Sequence, residues 1–290
     1  MRFTKRLLSG EFVVLAEMDT PKGVDVSALI TNARRIKERV DAVIVPDMDN
    51  GVMRMSALGG GVVLRDQGVE SIVHVYCRDR NRMALQGDLL AAYAMGLQNI
   101  LVVRGEKMAH GDHRDAAPVD DLEELELMGT IGALQGGCDM AGFDLTGAPE
   151  FTLGATIAPT ADDAALKREM ALAQKKVAAG ARFLITPPVF DLDRFKTFMA
   201  AAGELNVAII PTVFLLKSVA VARYMMRYEP GTHIPEATVK RIRQSSDRER
   251  ESLRIAGETA AALRQYAQGV KIQTLGWEHR LPEILDYAGL

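Results

Sequence analysis

Short apolar runs rich in Val and Ile recur along the chain, each followed by a longer stretch whose apolar residues return at helical spacing, the pattern of repeated strand–helix units. Phe12–Glu17 predicts the first strand and Val24–Arg39 its helix; Ala42–Pro46 and Arg54–Arg65 form the next pair, with Asp49-Asn50-Gly51 as a turn between them. Ile72–Tyr76 precedes a helix over Arg80–Met95 that Gly96 closes, and Ile100–Val103 begins the fourth unit. The helix belonging to that strand is displaced to Asp121–Ile131, behind a stretch from Arg104 to Asp120 without apolar periodicity. A loop of that length in a compact domain is a candidate for covering a ligand.

Three further units follow: Thr152–Ala158 with Asp162–Ala179, Phe183–Thr186 with Leu192–Leu205, and Ala208–Pro211 with Lys217–Met226. A helical pair over Glu236–Ser245 and Arg248–Gln268 comes before the last strand, Val270–Thr274, and the closing helix Glu278–Tyr287. Strict alternation predicts a parallel sheet, and eight units predict closure into a single (β/α)8 TIM barrel over residues 1–290, with extra helices before the last strand. An open dinucleotide-binding sheet is disfavoured because no G-x-G-x-x-G follows the first strand; Gly59-Gly60-Gly61 and Gly136-Gly137 both follow helices and read as turns.

Composition narrows the function classes. With 48% hydrophobic and 25% charged residues the chain can bury a sizeable core. A net charge of -3, with acidic and basic residues interspersed, offers no general attraction to nucleic acid or an anionic membrane. Cys77 and Cys138 form no CxxC pair and supply neither a disulfide framework nor a cysteine zinc site. No run approaches the roughly 18 apolar residues of a membrane span, and the basic stretch Met1–Gly10 lacks the features of a signal peptide, so a cytoplasmic location is expected.

In such a barrel the site is assembled at the C-terminal ends of the strands. Glu17 ends the first strand; partial desolvation there favours the protonated form of a carboxylate and suits it to general-acid work. Asp47 and Asp49 follow the second strand, and His74, Tyr76 and Cys77 close the third, with Cys77 read equally as a small buried filler. Arg104-Gly105-Glu106 follows the fourth: the glycine permits close approach of a flat ligand, the arginine can bind phosphate and the carboxylate can bind ring nitrogens. His110 and His113, with Asp112 and Asp115, fit no metal-ligand spacing and read as a solvated loop. Lys175 and Lys176 lie late in the fifth helix, where the dipole favours cations and where a cofactor phosphate is also within reach.

Taken together, Arg78-Asp79-Arg80-Asn81-Arg82 with Ala84-Leu85-Gln86, then Gly96-Leu97-Gln98-Asn99-Ile100-Leu101 leading to Arg104-Gly105-Glu106, and Lys175-Lys176-Val177-Ala178-Ala179-Gly180-Ala181, resemble the methylenetetrahydrofolate reductase family in order and spacing, over a region from Phe12 to about Ile284. The resemblance implies a barrel that binds FAD and reduces 5,10-methylenetetrahydrofolate to 5-methyltetrahydrofolate, in the short bacterial form without the regulatory domain of eukaryotic members. It implies Glu17 as catalytic acid and Glu106, where the family usually has aspartate, as a second catalytic and flavin-tuning group. It also implies His74, Arg104, Gly105, Lys175 and Lys176 as flavin contacts.

The folate site is expected to include Glu17, Asp47, Thr186 and Lys217, although the family's two folate-site glutamines are replaced, by Pro187 in Thr186-Pro187-Pro188 and by Lys217. Loss of those amides removes neutral hydrogen-bond partners of the pterin. NADH, NADPH or a reduced iron–sulfur protein stands as electron donor, and a homo-oligomer is expected. Two alternatives are a barrel that transfers a methyl group from methyltetrahydrofolate to a corrinoid protein, and a flavin-binding subunit active only with an electron-donating partner.

Overall fold

The computed structural model describes residues 2–105, 111–160, 162–229 and 231–290. Eight parallel strands close into a barrel in sequential order: β1 (Val13–Glu17), β2 (Ala42–Val45), β3 (Ser71–Tyr76), β4 (Asn99–Val103), β5 (Thr152–Thr156), β6 (Phe183–Pro188), β7 (Ala208–Phe214) and β8 (Gly269–Gln273). β8 returns to β1 with Leu15 opposite Lys271. The (β/α)8 expectation holds, including the helical pair α9 (Glu236–Gln244) and α10 (Arg248–Leu263) ahead of β8.

The strands are apolar on both faces because both are covered. Val13, Leu15, Ala42, Ile44, Ile72, Leu101, Phe183, Ile185 and Ile210 fill the barrel interior, while Val14, Ala16, Val43, Val45, Val73 and Val102 pack outward under the helices. Several helices begin where a short polar side chain caps them. Ser56 accepts from Gly59 at the start of α3 (Ala57–Asp66), and Asn81 accepts from Met83 and Ala84 at the start of α4 (Arg82–Ala94). Asp162 does the same at α6 (Asp163–Ala178) and Ser218 at α8 (Val219–Tyr228).

The sequence pattern misses α1 (Arg2–Leu8), which closes the N-terminal end of the barrel. Phe3, fully buried, meets Phe183 edge to face at 5.4 Å, and Thr4 donates to Asn99 at 3.1 Å. Burying one such phenyl ring contributes roughly 2–3 kcal/mol. Gly59-Gly60-Gly61, expected as a turn, lie inside α3, where a Cβ on Gly60 or Gly61 would meet Thr20, Val45, Val73 or Leu97 within 3 Å; the remaining differences are at boundaries. β6 runs through Pro187 and Pro188 with a register shift after Ile185, where two residues without N–H interrupt the ladder, and β7 extends to Phe214 because Val213 and Phe214 find partners on β8. Among the described residues no helix is long and apolar enough to cross a membrane.

Candidate active site

Alternation along each strand carries polar side chains into the interior at both ends: Asn99 and Thr152 meet Thr4 of α1 at the N-terminal end, and a second group converges at the C-terminal mouth. On β1, Leu15 faces inward and Glu17, two residues on, does so at the strand end, 5% exposed. From β8, Lys271 places Nζ 2.8 Å from Glu17 Oε2, and Gln273 donates from Nε2 to Glu17 Oε1 at 2.6 Å. Glu17 is thus the buried strand-end carboxylate the sequence points to, but it stands in an ion pair with both oxygens engaged.

Across the mouth, His74 on β3 is buried, its Nδ1 3.4 Å from the Tyr76 hydroxyl, which in turn donates to Asp49 at 3.0 Å. His74 Nε2 has no hydrogen-bond partner. Burial, reinforced by the nearby Lys271 charge, pushes the imidazole down to about 3, so it is neutral near pH 7. Beyond Glu17, Asp19 is pushed up to about 6, first by burial; Arg54 opposes this from 3.3 Å, while Glu17 and Asp49 reinforce it. Asp19, Thr20, Pro21, Arg54, Leu275 and Gly276 line part of a cavity of about 330 Å³. Lys217, at the rim, donates to the Leu275 carbonyl and lies 5.2 Å from the Trp277 ring centroid; burial lowers its pKa, and Glu278 opposes that shift.

Other expected residues are turned elsewhere. Asp47, 3% exposed, accepts from Ala57 N at 2.9 Å and from Arg80 at 2.6 Å, fastening β2 to the start of α3 and to the segment before α4. Thr186 donates to the Pro187 carbonyl, and its own carbonyl accepts from Thr212 at 2.6 Å. Lys176 is buried between α6 and α5 (Glu124–Gln135), 2.8 Å from both Glu124 and the Thr156 carbonyl, while Lys175 is exposed. Arg104 is exposed, 3.8 Å from Glu123. Gly105 has φ +93°, and a Cβ there would lie 2.8 Å from the Tyr76 ring, so both conformation and space call for glycine. Glu106 and His110 lie outside the described residues. Asp112 accepts from Met53 N at 3.0 Å and pairs with His113 and Lys22, tying the segment after β4 back to the loops after β1 and β2.

Lys271, Gln273, Asp19 and Arg54 were not singled out from the sequence. The signal for two of them was present: Lys271 and Gln273 are the polar members, two apart, of a strand whose alternate residues, Val270 and Ile272, are apolar.

The fold and the cluster at its mouth define a (β/α)8 barrel whose polar groups converge at the end where this architecture carries its chemistry. The sequence profile described as methylenetetrahydrofolate reductase matches residues 2–289, and the chain belongs to that family. It is 27% identical over 149 residues to a probable methylenetetrahydrofolate reductase (NADPH) of Caenorhabditis elegans, covering 50% of this chain and 20% of that one. It is 22% identical over 180 residues to methylenetetrahydrofolate reductase 2 of Schizosaccharomyces pombe, covering 60% and 27%. The matched region thus spans about a fifth to a quarter of those curated relatives.

Among solved structures, a Clostridium thermocellum protein described as binding two copies of 5-methyl-5,6,7,8-tetrahydrofolic acid aligns over 99% of this chain and 97% of its own, with a TM-score of 0.65 and 14% identity. Tryptophan synthase of Mycobacterium tuberculosis aligns over 99% and 94%, with a TM-score of 0.55 and 13% identity. At these identities the likeness is one of fold.

The donor set can be tested against the FAD that the resemblance implies. Of the cations assigned to it, Lys176 is spent on Glu124 and Thr156, Lys175 is exposed late in α6, and Arg104 faces solvent beside Glu123. Of the three, Lys176 does not fit a pyrophosphate ligand as it stands, whereas exposure leaves Lys175 and Arg104 accessible to one.

Proposed function

We propose that the chain reduces 5,10-methylenetetrahydrofolate to 5-methyltetrahydrofolate with Glu17 as the general acid. The carrying observation is the placement of Glu17: a buried carboxylate at the end of β1, held by Lys271 and Gln273, in a chain of this family. Opening the five-membered ring of the substrate needs a proton on the departing nitrogen, and that leaves an iminium carbon ready for hydride. Glu17 is the group proposed to give that proton, and Gln273 keeps its Oε1 from turning away. The cavity lined by Asp19, Arg54, Leu275 and Gly276 begins two residues beyond Glu17 along the chain and is proposed to hold the non-reacting part of the folate.

The hydride comes from a reduced cofactor of the flavin or nicotinamide class. The family reading names FAD, recharged by NADH, NADPH or a reduced iron–sulfur protein. Lys176 does not fit the FAD site that the family implies, and the proton-donating role proposed for Glu17 is independent of which cofactor supplies the hydride. The burial of Lys176 against Glu124 is the observation behind a second reading, a pterin-dependent methyltransferase barrel, which has no use for a hydride. One assay separates the two: methylenetetrahydrofolate is supplied with NADH, NADPH, reduced FAD or a reduced viologen, and methyltetrahydrofolate is quantified. Formation with any of these supports the reductase. Glu17→Gln is expected to lower the rate by roughly 10²–10⁴-fold with folate binding retained; an unchanged rate refutes Glu17 as the acid.

A further inference from the structure

Both oxygens of Glu17 are occupied, one by the Lys271 ammonium at 2.8 Å and the other by the Gln273 amide at 2.6 Å. With an ammonium on one oxygen and an amide N–H on the other, Glu17 is held as a hydrogen-bond acceptor, whereas a general acid must hold a proton when the reaction begins. The contact that satisfies the first condition also supplies the second. Lys271 carries three N–H bonds on a group able to release one, and its side chain is 10% exposed against 6% for Glu17.

We infer that Lys271 is a positioning residue that reloads Glu17: the pair holds one transferable proton, and bound folate draws it onto the carboxylate. This rests on the reading of Glu17 as the acid. The Lys271 Nζ–H bond breaks and a Glu17 Oε2–H bond forms, converting ammonium and carboxylate into amine and carboxylic acid. The Glu17 O–H bond then breaks as the substrate nitrogen takes the proton. Lys271 is left as the neutral amine, and solvent restores its proton after product leaves.

Burial penalises the separated charges far more than the neutral pair, and a folate covering the mouth removes the remaining water, so substrate binding itself moves the pair toward amine and acid. Around the pair stand Asp19 beyond β1, Asp49 after β2, His74 on β3 and Glu278 after β8, with Arg54 against Asp19. Within this set Lys271 is the cation in contact with Glu17. His74 is neutral and its Nε2 has no partner, so it does not compete for the carboxylate.

The test is the pH profile of kcat in the parent, Lys271→Met, Lys271→Arg and Glu17→Gln, with whichever reductant supports the parent. Arginine keeps the charge at Glu17 but does not release its proton. Lys271→Arg is therefore expected to lose at least about tenfold in kcat with KM little changed. Lys271→Met leaves Glu17 to ionise alone, so its alkaline limb is expected at lower pH than in the parent. If Lys271→Met does not fold, Lys271→Arg decides. The parent's kcat and alkaline limb appearing in Lys271→Arg, or an unmoved limb in a folded Lys271→Met, overturns the inference. A fully active Glu17→Gln overturns the acid assignment itself, which separates the two failures. In the infrared difference spectrum on adding methylenetetrahydrofolate without reductant, a protonated-carboxyl band is expected in the parent and not in Glu17→Gln or Lys271→Arg; its absence from the parent also counts against the inference.

Discussion

Lys176, near the end of α6, lies 2.8 Å from Glu124, the first residue of α5, and its ammonium also donates to the carbonyl of Thr156 at the end of β5. The ion pair is close in distance without being aligned as a hydrogen bond to Glu124 Oε1. One side chain thereby joins two helices and a strand end beside the barrel mouth, with 3% exposure on Lys176 and 14% on Glu124.

This pairing separates a structural lysine from a cofactor ligand. Lys176→Met leaves Glu124 without its cation and the Thr156 carbonyl without its donor, and breaking a buried pair in this way costs roughly 3–5 kcal/mol. Chemical denaturation without any flavin is the measurement, and a large fall in midpoint is expected. An unchanged midpoint, with a loss confined to flavin affinity, would show that Lys176 belongs to a cofactor site after all.

The strand count was legible because most strands are short runs rich in Val, Ile and Leu, and because glycines and capping residues punctuate the helices. Lys176 shows where legibility stops. Its place in the last turn of a helix can be read from the chain, but its partner Glu124 is set by how α5 and α6 pack. β8 teaches the same lesson: the alternation of Lys271 and Gln273 with Val270 and Ile272 is plain in the sequence. That the polar pair faces Glu17 depends on the closing register between β8 and β1, which no local pattern encodes. α1 escaped notice because its seven residues offer only Phe3 and Leu7 as buried contacts, too few for a period to emerge.

The acid side of the stability curve should contain two opposing contributions. His74 has a folded pKa of about 3, below its ordinary 6.5, so its contribution is fully present above pH 6.5 and is lost as pH falls toward 3. Asp19 has a folded pKa of about 6, above its ordinary 3.8, so its contribution is present below 3.8 and is lost as pH rises through 6. Each is bounded by its shift, about 5 kcal/mol for His74 and about 3 kcal/mol for Asp19. Unfolding free energies measured from pH 4 to 8 should therefore lose less on acidification in His74→Gln than in the parent, and lose more in Asp19→Asn. Parallel curves for all three proteins would refute the assignment.

Gly154 on β5 and Phe183 on β6 provide a test of how the barrel floor is packed. A Cβ at Gly154 would lie 2.2 Å from Phe183 Cζ and 2.3 Å from Cε2, while the ring meets Phe3 of α1 edge to face on another side. The ring is held by α1 and its neighbours in the interior, so Gly154→Ala forces a shift rather than a small rotation, at a cost of about 1–3 kcal/mol. Phe183→Leu alone leaves space and loses the edge contact to Phe3, costing a comparable amount. In the double variant the alanine methyl enters the space that the ring vacated, so the two costs should sum to more than the measured loss, by about 0.5–3 kcal/mol. Urea unfolding of the four proteins completes the cycle. Strict additivity would mean that the two positions do not share the space between β5 and β6, and the plug formed by Phe3 and Phe183 would then need a different account.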